Sequence, residues 1–222
     1  MFVYQIEVSN VCSLRCAYCP HPGQERRKGF MSVDTFSKCL QLFRRCENRR
    51  TLRLHNFGEV LMHPRLAELI AMAATQDIEV SFFTNGVAPG GLPYPRSVWQ
   101  MLAAAGLRRV DFSSHVLPAE DFRRITSGLI AVGRVFDPHN RKLGTWAGQT
   151  GPAEGPLPTP CLFERDNAFV VLWDGRISSC CLDVEGRRDE LWIDDLLRRG
   201  TYTFEPLQLC ASCGSMRHQE DL

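Results

Sequence analysis

Ten cysteines stand in three groups along this 222-residue sequence: Cys12, Cys16 and Cys19 near the start, Cys39 and Cys46 soon after, and Cys161, Cys180, Cys181, Cys210 and Cys213 at the end. The 114 residues between Cys46 and Cys161 contain none. A secreted mini-protein would use such cysteines as disulfides, but a chain of this length can bury a real core without them. Its start, MFVYQIEV, has neither the basic segment nor the small-residue cleavage site of a signal peptide. In a reducing compartment, grouped cysteines read as metal ligands. The expectation is a cytoplasmic protein with two metal regions and a cysteine-free body between them.

That body alternates strand and helix patterns. Residues 2–8 form a β-branched and aromatic strand that runs directly into the first cysteine group. The pattern predicts a helix from Ser32 to about Cys46, then strands over 51–56, 78–83, 109–113 and 132–136. Helices are predicted between them, over 64–74, 95–105 and 119–125. Repeated β-α units of this length imply an α/β fold, a parallel sheet or partial barrel with its chemistry at the strand C-termini. Residues 138–160 are rich in Gly and Pro and read as a linker. Beyond them a hairpin is expected over 168–179 with its turn at Asp174-Gly175, then a helix over 192–199. The expected organisation is a barrel over 1–137, the linker, and a small module over 161–222.

Charge excludes several classes of partner. Twenty-six basic against 25 acidic residues leave a net charge of +1, which offers no footprint for nucleic acid or an acidic membrane. No apolar run reaches the ~20 residues that a bilayer span needs.

Cys12-Ser-Leu-Arg-Cys16-Ala-Tyr-Cys19 is C-x3-C-x2-C on one tight loop after a strand. Three thiolates so spaced can hold three irons of a cubane and leave the fourth open to a small molecule; a zinc knuckle is the competing reading. At these residues the sequence resembles the radical S-adenosylmethionine (SAM) enzymes. The resemblance covers residues 3 to about 137. It implies that an open iron binds SAM and that reductive cleavage yields a 5′-deoxyadenosyl radical, with flavodoxin or ferredoxin as the external reductant. It further implies that Tyr18 lies near the adenine, and that Gly58-Glu59 is the "GE" motif whose carboxylate takes the SAM ammonium. Thr84-Asn85-Gly86 is similar to the family's "TNG", near the ribose or methionine of SAM. Ser113 ends a strand where the family often has a SAM-contacting serine. Arg123 or Arg124 is the candidate partner for the SAM carboxylate. Singly, Gly58 and Asn85-Gly86 are ordinary turn signals; their force lies in their order after successive strands.

Cys161-x13-Gly175-x4-Cys180 followed by Cys210-x2-Cys213 resembles the Twitch module, a shortened form of the SPASM domain. After Cys213 come nine residues and no cysteine, so one auxiliary [4Fe–4S] cluster is expected, held by Cys161, Cys180, Cys210 and Cys213. Four thiolates close a cubane to substrate and suit it to electron transfer; the same four suit zinc. Cys181 is left over. Neighbours on one strand point to opposite faces, so Cys180 and Cys181 are not expected to share a cluster. Cys181 is then either a buried apolar residue or a hydrogen-atom donor, a role that thiols play in related epimerases. Cys39 and Cys46 share a helix face and read as core. His55, His63 and His115 read as structural or solvated, with a substrate contact as the sharper alternative.

A primary radical takes hydrogen from an unactivated C–H bond, and a neighbouring closed cluster suits a net two-electron oxidation. The truncated barrel and Twitch together resemble the aminocyclitol dehydrogenases of natural-product biosynthesis. The first strand begins at residue 2, so no fused peptide-recognition domain is expected. Oxidation of a small polyol or sugar-like metabolite therefore ranks first. Peptide modification, by thioether or carbon cross-linking or by epimerisation through Cys181, ranks second. A non-catalytic iron–sulfur or zinc protein ranks third.

Overall fold

The computed structural model describes residues 1–46, 51–137, 146–147, 149–151, 161–186 and 191–213. Strand β1 (Phe2–Ile6) leads through the cysteine loop into helix α1 (Val33–Arg45). The order continues β2 (Thr51–Arg53), α2 (Leu66–Ala74), β3 (Glu79–Ser81), β4 (Phe83–Thr84), α3 (Arg96–Ala104), β5 (Arg109–Ser113), α4 (Ala119–Thr126) and β6 (Ala131–Phe136). It ends with the short α5 (Leu162–Arg165), β7 (Ala168–Val171), β8 (Ile177–Ser178) and α6 (Ile193–Arg199). Helix α1 shows why the local sequence folds as it does. Ser32 caps it by accepting the Thr35 N–H at 3.0 Å, Asp34 opens it, and Arg44 and Arg45 close it. Phe36, Cys39, Leu40 and Phe43 make one buried stripe against the sheet.

The predicted third strand is divided. β3 pairs in parallel with β2, and β4 pairs in parallel with β5, which in turn pairs with β6. The change of partner falls between adjacent carbonyls: Ser81 O accepts from Leu54 N, and Phe82 O accepts from Asp111 N, both at 2.9 Å. The sheets stay open, giving a partial barrel with helices over its outer face. Leu52, Leu54, Val80, Phe82, Val110 and Phe112 face those helices. The alternating residues face inward.

Strand β7 joins the barrel directly. It runs parallel to β1, from Phe2↔Ala168 to Ile6↔Val171, and all four of its residues are buried. The hairpin of the C-terminal module thus widens the barrel's sheet on the β1 side. Its return strand β8 stops at Ser178, short of the predicted 179, because Ser178 Oγ receives the Cys180 N–H and donates within its own turn. Most of the expected linker, 138–145, 148 and 152–160, lies outside the described residues, as does the chain after Cys213.

One carboxylate ties these parts. Glu7, fully buried just past β1, accepts both terminal nitrogens of Arg26 at 2.5 and 2.7 Å. It also accepts the N–H of Phe57 at 3.3 Å and that of Trp173 at 3.5 Å. Burial pushes its pKa up while Arg26 pulls it down. Replacing Arg26 by Met strands a buried charge, so the denaturation midpoint should fall by the equivalent of about 3–5 kcal/mol. A loss below about 1 kcal/mol, the scale of an exposed pair, would show that the pair is not the tie described.

Candidate active site

The cysteine loop is held from inside by Asn10. Its side-chain N–H donates to Gln24 Oε1 at 3.0 Å and to Arg27 O at 2.9 Å, and its Oδ1 accepts the Gly29 N–H at 2.7 Å. The loop therefore returns on itself and presents Cys12, Cys16 and Cys19 half-buried at the C-terminal end of β1. Burial pushes the Cys12 thiol up to about 11, and the charges of Glu59, Cys16 and Cys19 add to the rise. Cys19 is also raised by burial. Backbone N–H groups of Leu14 and His21 act the other way, favouring the thiolates of Cys12 and Cys19.

The loop after β2 docks on this one. Glu59 N donates to Val11 O at 2.8 Å. Gly58 has φ +93°, and a Cβ there would lie 2.6 Å from Ser9 O and 2.7 Å from Asn10 Cα. Only glycine fits both demands. The Glu59 carboxylate, 2% exposed, already accepts three donors: Leu61 N at 3.0 Å, Thr84 Oγ1 at 2.7 Å and Asn85 N at 2.9 Å. Burial raises its pKa and those donors lower it. Thr84 Oγ1 also accepts Gly86 N, and Asn85 Oδ1 accepts Val87 N. The side chains of the Thr-Asn-Gly segment thus build the loop that cradles Glu59. Tyr94, unmarked in the sequence among glycines and prolines, belongs to the same locality. Burial, Glu59 and Cys12 push its hydroxyl up to about 12.

Across the loop, the Tyr18 hydroxyl meets the His115 imidazole, 2.6 Å from Nε2. Burial and the cysteine thiols raise the Tyr18 pKa. His115 follows the half-buried Ser113 at the end of β5, so this contact joins the cysteine loop to a third strand end. Arg123 and Arg124 are exposed on α4, and Arg124 pairs with Asp121. The structure brings neither arginine into contact with the loop. His63 is structural, with Nε2 2.9 Å from Met31 O and Nδ1 accepting Arg65 N at 3.1 Å. Cys39 is core, fully buried with its thiol 3.9 Å from Met31 Sδ.

The second cysteine group also converges. Cys210 is raised by burial and then by the charges of Cys180 and Cys161, and Cys161 and Cys213 pack against the buried cluster containing Cys180 and Cys181. Leu207 N donates to Cys210 Sγ at 3.3 Å, and Leu182 N to Cys180 Sγ at 3.4 Å. The opposite-face expectation for Cys180 and Cys181 does not hold. Both lie past the end of β8, in a turn without strand alternation, and their thiols are in hydrogen-bond contact. That contact raises the Cys180 pKa well above its ordinary value. Among the described residues, no three His, Cys, Asp or Glu side chains gather closely enough for a single metal ion. A cubane spreads its thiolates over separate irons, and N–H···S donors of the kind found here tune such ligands.

Because Gly58 lets two loops approach, Gly58→Ala should push the cysteine loop off its seat. The variant is expected to fold yet to take up fewer irons on anaerobic reconstitution than the native protein. Equal iron uptake would show that the close approach is not needed.

Known proteins resemble this chain over its barrel. The Radical SAM superfamily matches residues 6–137, more than half of the chain. The GTP 3',8-cyclase of Aquifex aeolicus (strain VF5) is 26% identical over 141 residues, 61% of this chain and 42% of that protein. The probable GTP 3',8-cyclase of Thermococcus kodakarensis is 30% identical over 131 residues, 58% of this chain and 40% of the relative. The match thus spans about two fifths of these relatives' length. The crystal structure of BtrN in complex with AdoMet and 2-DOIA superposes with a TM-score of 0.64 at 20% identity, covering 82% of this chain and 74% of that one. At that identity the likeness is one of fold. The matched residues contain the three-cysteine loop and every strand of the partial barrel from β2 to β6, and on that ground the chain belongs to the radical SAM superfamily, whose enzymes use SAM and a [4Fe–4S] cluster.

Proposed function

We propose that this chain oxidises a small polyol or sugar-like metabolite on the inner face of its barrel. In this reading Cys12, Cys16 and Cys19 hold the SAM-binding cluster, and Cys161, Cys180, Cys210 and Cys213 hold an auxiliary one that accepts an electron. The carrying observation is that the second cysteine group adjoins the barrel's inner face: Cys180 and Cys181 share a buried cluster with Ala168 and Val170, with Phe2 and Tyr4 of β1 packed on it. Burial, and then the neighbouring Cys181, raise the Tyr4 pKa. Electron acceptor and substrate would then share one space.

When bound, SAM and its cluster supply the 5′-deoxyadenosyl radical, a reactivity no side chain has. The protein's part is to position and to exclude water. Tyr18 and His115 wall the cysteine loop on the β5 side, and Ser113 lies beside them. Gly58 lets the loop after β2 reach the cysteines. Glu59, with three donors in place, has room for one more at its four lone pairs, as an ammonium requires. Thr84 and Asn85 hold that carboxylate. BtrN, named with AdoMet and 2-DOIA, supports a small-molecule substrate for this fold. An external reductant such as flavodoxin or ferredoxin completes the cycle. No helix among the described residues is long and apolar enough to cross a membrane.

A second reading rests on Cys181. Cys181 is 8% exposed and belongs to the buried cluster on which Tyr4 of the inner face packs, as a hydrogen-atom donor for epimerisation of a peptide would need. The experiment separates the two. The reconstituted, reduced protein should cleave SAM to 5′-deoxyadenosine, and joint replacement of Cys12, Cys16 and Cys19 by Ala should abolish this. Persistence in that variant would refute the SAM assignment. Under oxidation, Cys181→Ala should keep product formation within about twofold, since it removes only a small packing contact. Solvent deuterium at the reacting carbon, lost on Cys181→Ala, would instead establish epimerisation.

A further inference from the structure

The barrel's inner face is more basic than the chain's near-zero net charge suggests. Five strands contribute to it, through Tyr4 of β1, Arg53 of β2, Phe83 of β4, Arg109 and Asp111 of β5 and Arg134 of β6. His55, just past β2, joins them. These groups touch one another. Arg53 lies over the Tyr4 ring, 5.2 Å from its centroid, and Arg134 lies over Phe83 at 5.4 Å. His55 packs edge-on against Phe83, with 5.3 Å between ring centroids.

Their charges do not balance. Asp111, 7% exposed, is the carboxylate at the centre of the set, and it is shared by two arginines. Arg134 Nη2 lies 3.2 Å from it and Arg109 Nη2 3.6 Å, and the Arg134 backbone N–H donates to its Oδ1 at 2.8 Å. Glu79, on the exposed rim, takes the Thr51 hydroxyl at 3.2 Å. Among the described residues no carboxylate pairs with Arg53, which is half-buried against an aromatic ring. Its polar contact there is the neutral Tyr4 hydroxyl, so its charge is left uncompensated, and its rigid fork of donors matches a carboxylate or phosphate. Beside it, His55 is held as a neutral donor. Phe83 N–H donates to its Nδ1 at 3.3 Å, which leaves the ring proton on Nε2. Burial and the two arginines depress its pKa to about 3.

SAM does not account for the missing anion. Arg53 stands in register with Ser81, whereas Glu59 and Thr84 lie at the strand ends beside the cysteine loop. Arg53 is therefore deeper in the barrel than the SAM end, two residues before His55 along the chain.

We propose that the substrate carries an oxyanion, a carboxylate or a phosphate, and that Arg53 on the Tyr4 ring receives it at the floor of the inner face. This rests on the reading that the substrate occupies that face.

The smallest probes of this chemistry are methyl phosphate and acetate, with methylammonium and methanol as cationic and neutral controls. Their methyl signals report binding to the reconstituted protein by saturation-transfer NMR. One of the two anions should bind and the controls should not, and the tighter anion names the group. Arg53→Gln should weaken that binding about tenfold, and Arg53→Lys, which keeps the charge and loses the fork, by less. The iron content and melting midpoint of each variant verify its fold, and Arg53→Lys decides if Arg53→Gln does not fold. No anion binding, binding unchanged in Arg53→Gln, or preferential binding of methylammonium would overturn the proposal. SAM cleavage by the same wild-type sample separates the two failures. Without 5′-deoxyadenosine the functional reading falls; without anion binding in a SAM-cleaving sample, the oxyanion site alone falls.

Discussion

Glu7 and Arg26 form an ion pair with side chains 0% and 4% exposed, and the working end of the barrel is assembled around it. A carboxylate so deep costs several kcal/mol to desolvate, and only a dense set of donors offsets that cost. The donors come from segments far apart in the chain: the return of the cysteine loop at Arg26, the loop after β2 at Phe57 and the hairpin turn at Trp173. Arg26 extends the set by donating from Nε to Val184 O at 2.7 Å. Glu185 then accepts the backbone N–H groups of Glu25 and Arg26, at 3.0 Å from each. The segment that follows Cys180 and Cys181 is thereby bonded to the segment that follows Cys12, Cys16 and Cys19.

This tie explains why the module after residue 161 sits on the barrel. β7 pairs with β1, and Trp173 covers Gly29, where an added Cβ would fall 2.4 Å from its ring. The two cysteine groups are then set by one scaffold, and the inner face between them carries the aromatic and arginine cluster. A protein that must keep a radical from water gains from such rigidity.

Much of this was legible in the residues. The spacing of Cys12, Cys16 and Cys19, the order of Gly58-Glu59 and Thr84-Asn85-Gly86 after strands, and the β-α rhythm through Phe136 all follow from local pattern. What escaped was non-local. Glu7 reads as one polar residue in an apolar strand, and its partners are 19, 50 and 166 positions away. Tyr94 lies in a Gly- and Pro-rich loop whose path depends on the fold. Strand alternation is no guide to Cys180 and Cys181, because they lie past Ser178, where a serine side chain bends the backbone into a turn. The parallel pairing of β7 with β1 had no local mark beyond the all-apolar run of β7, which suits a strand buried on both faces.

In the proposed function, two cysteine groups on one scaffold hold two clusters against one inner face. Mössbauer spectroscopy with iron and sulfide counting on the anaerobically reconstituted protein tests it most directly. Two clusters require about eight irons in two cubane environments, only one of which changes when SAM is added. A single cubane, with about four irons and one zinc per chain, would contradict it.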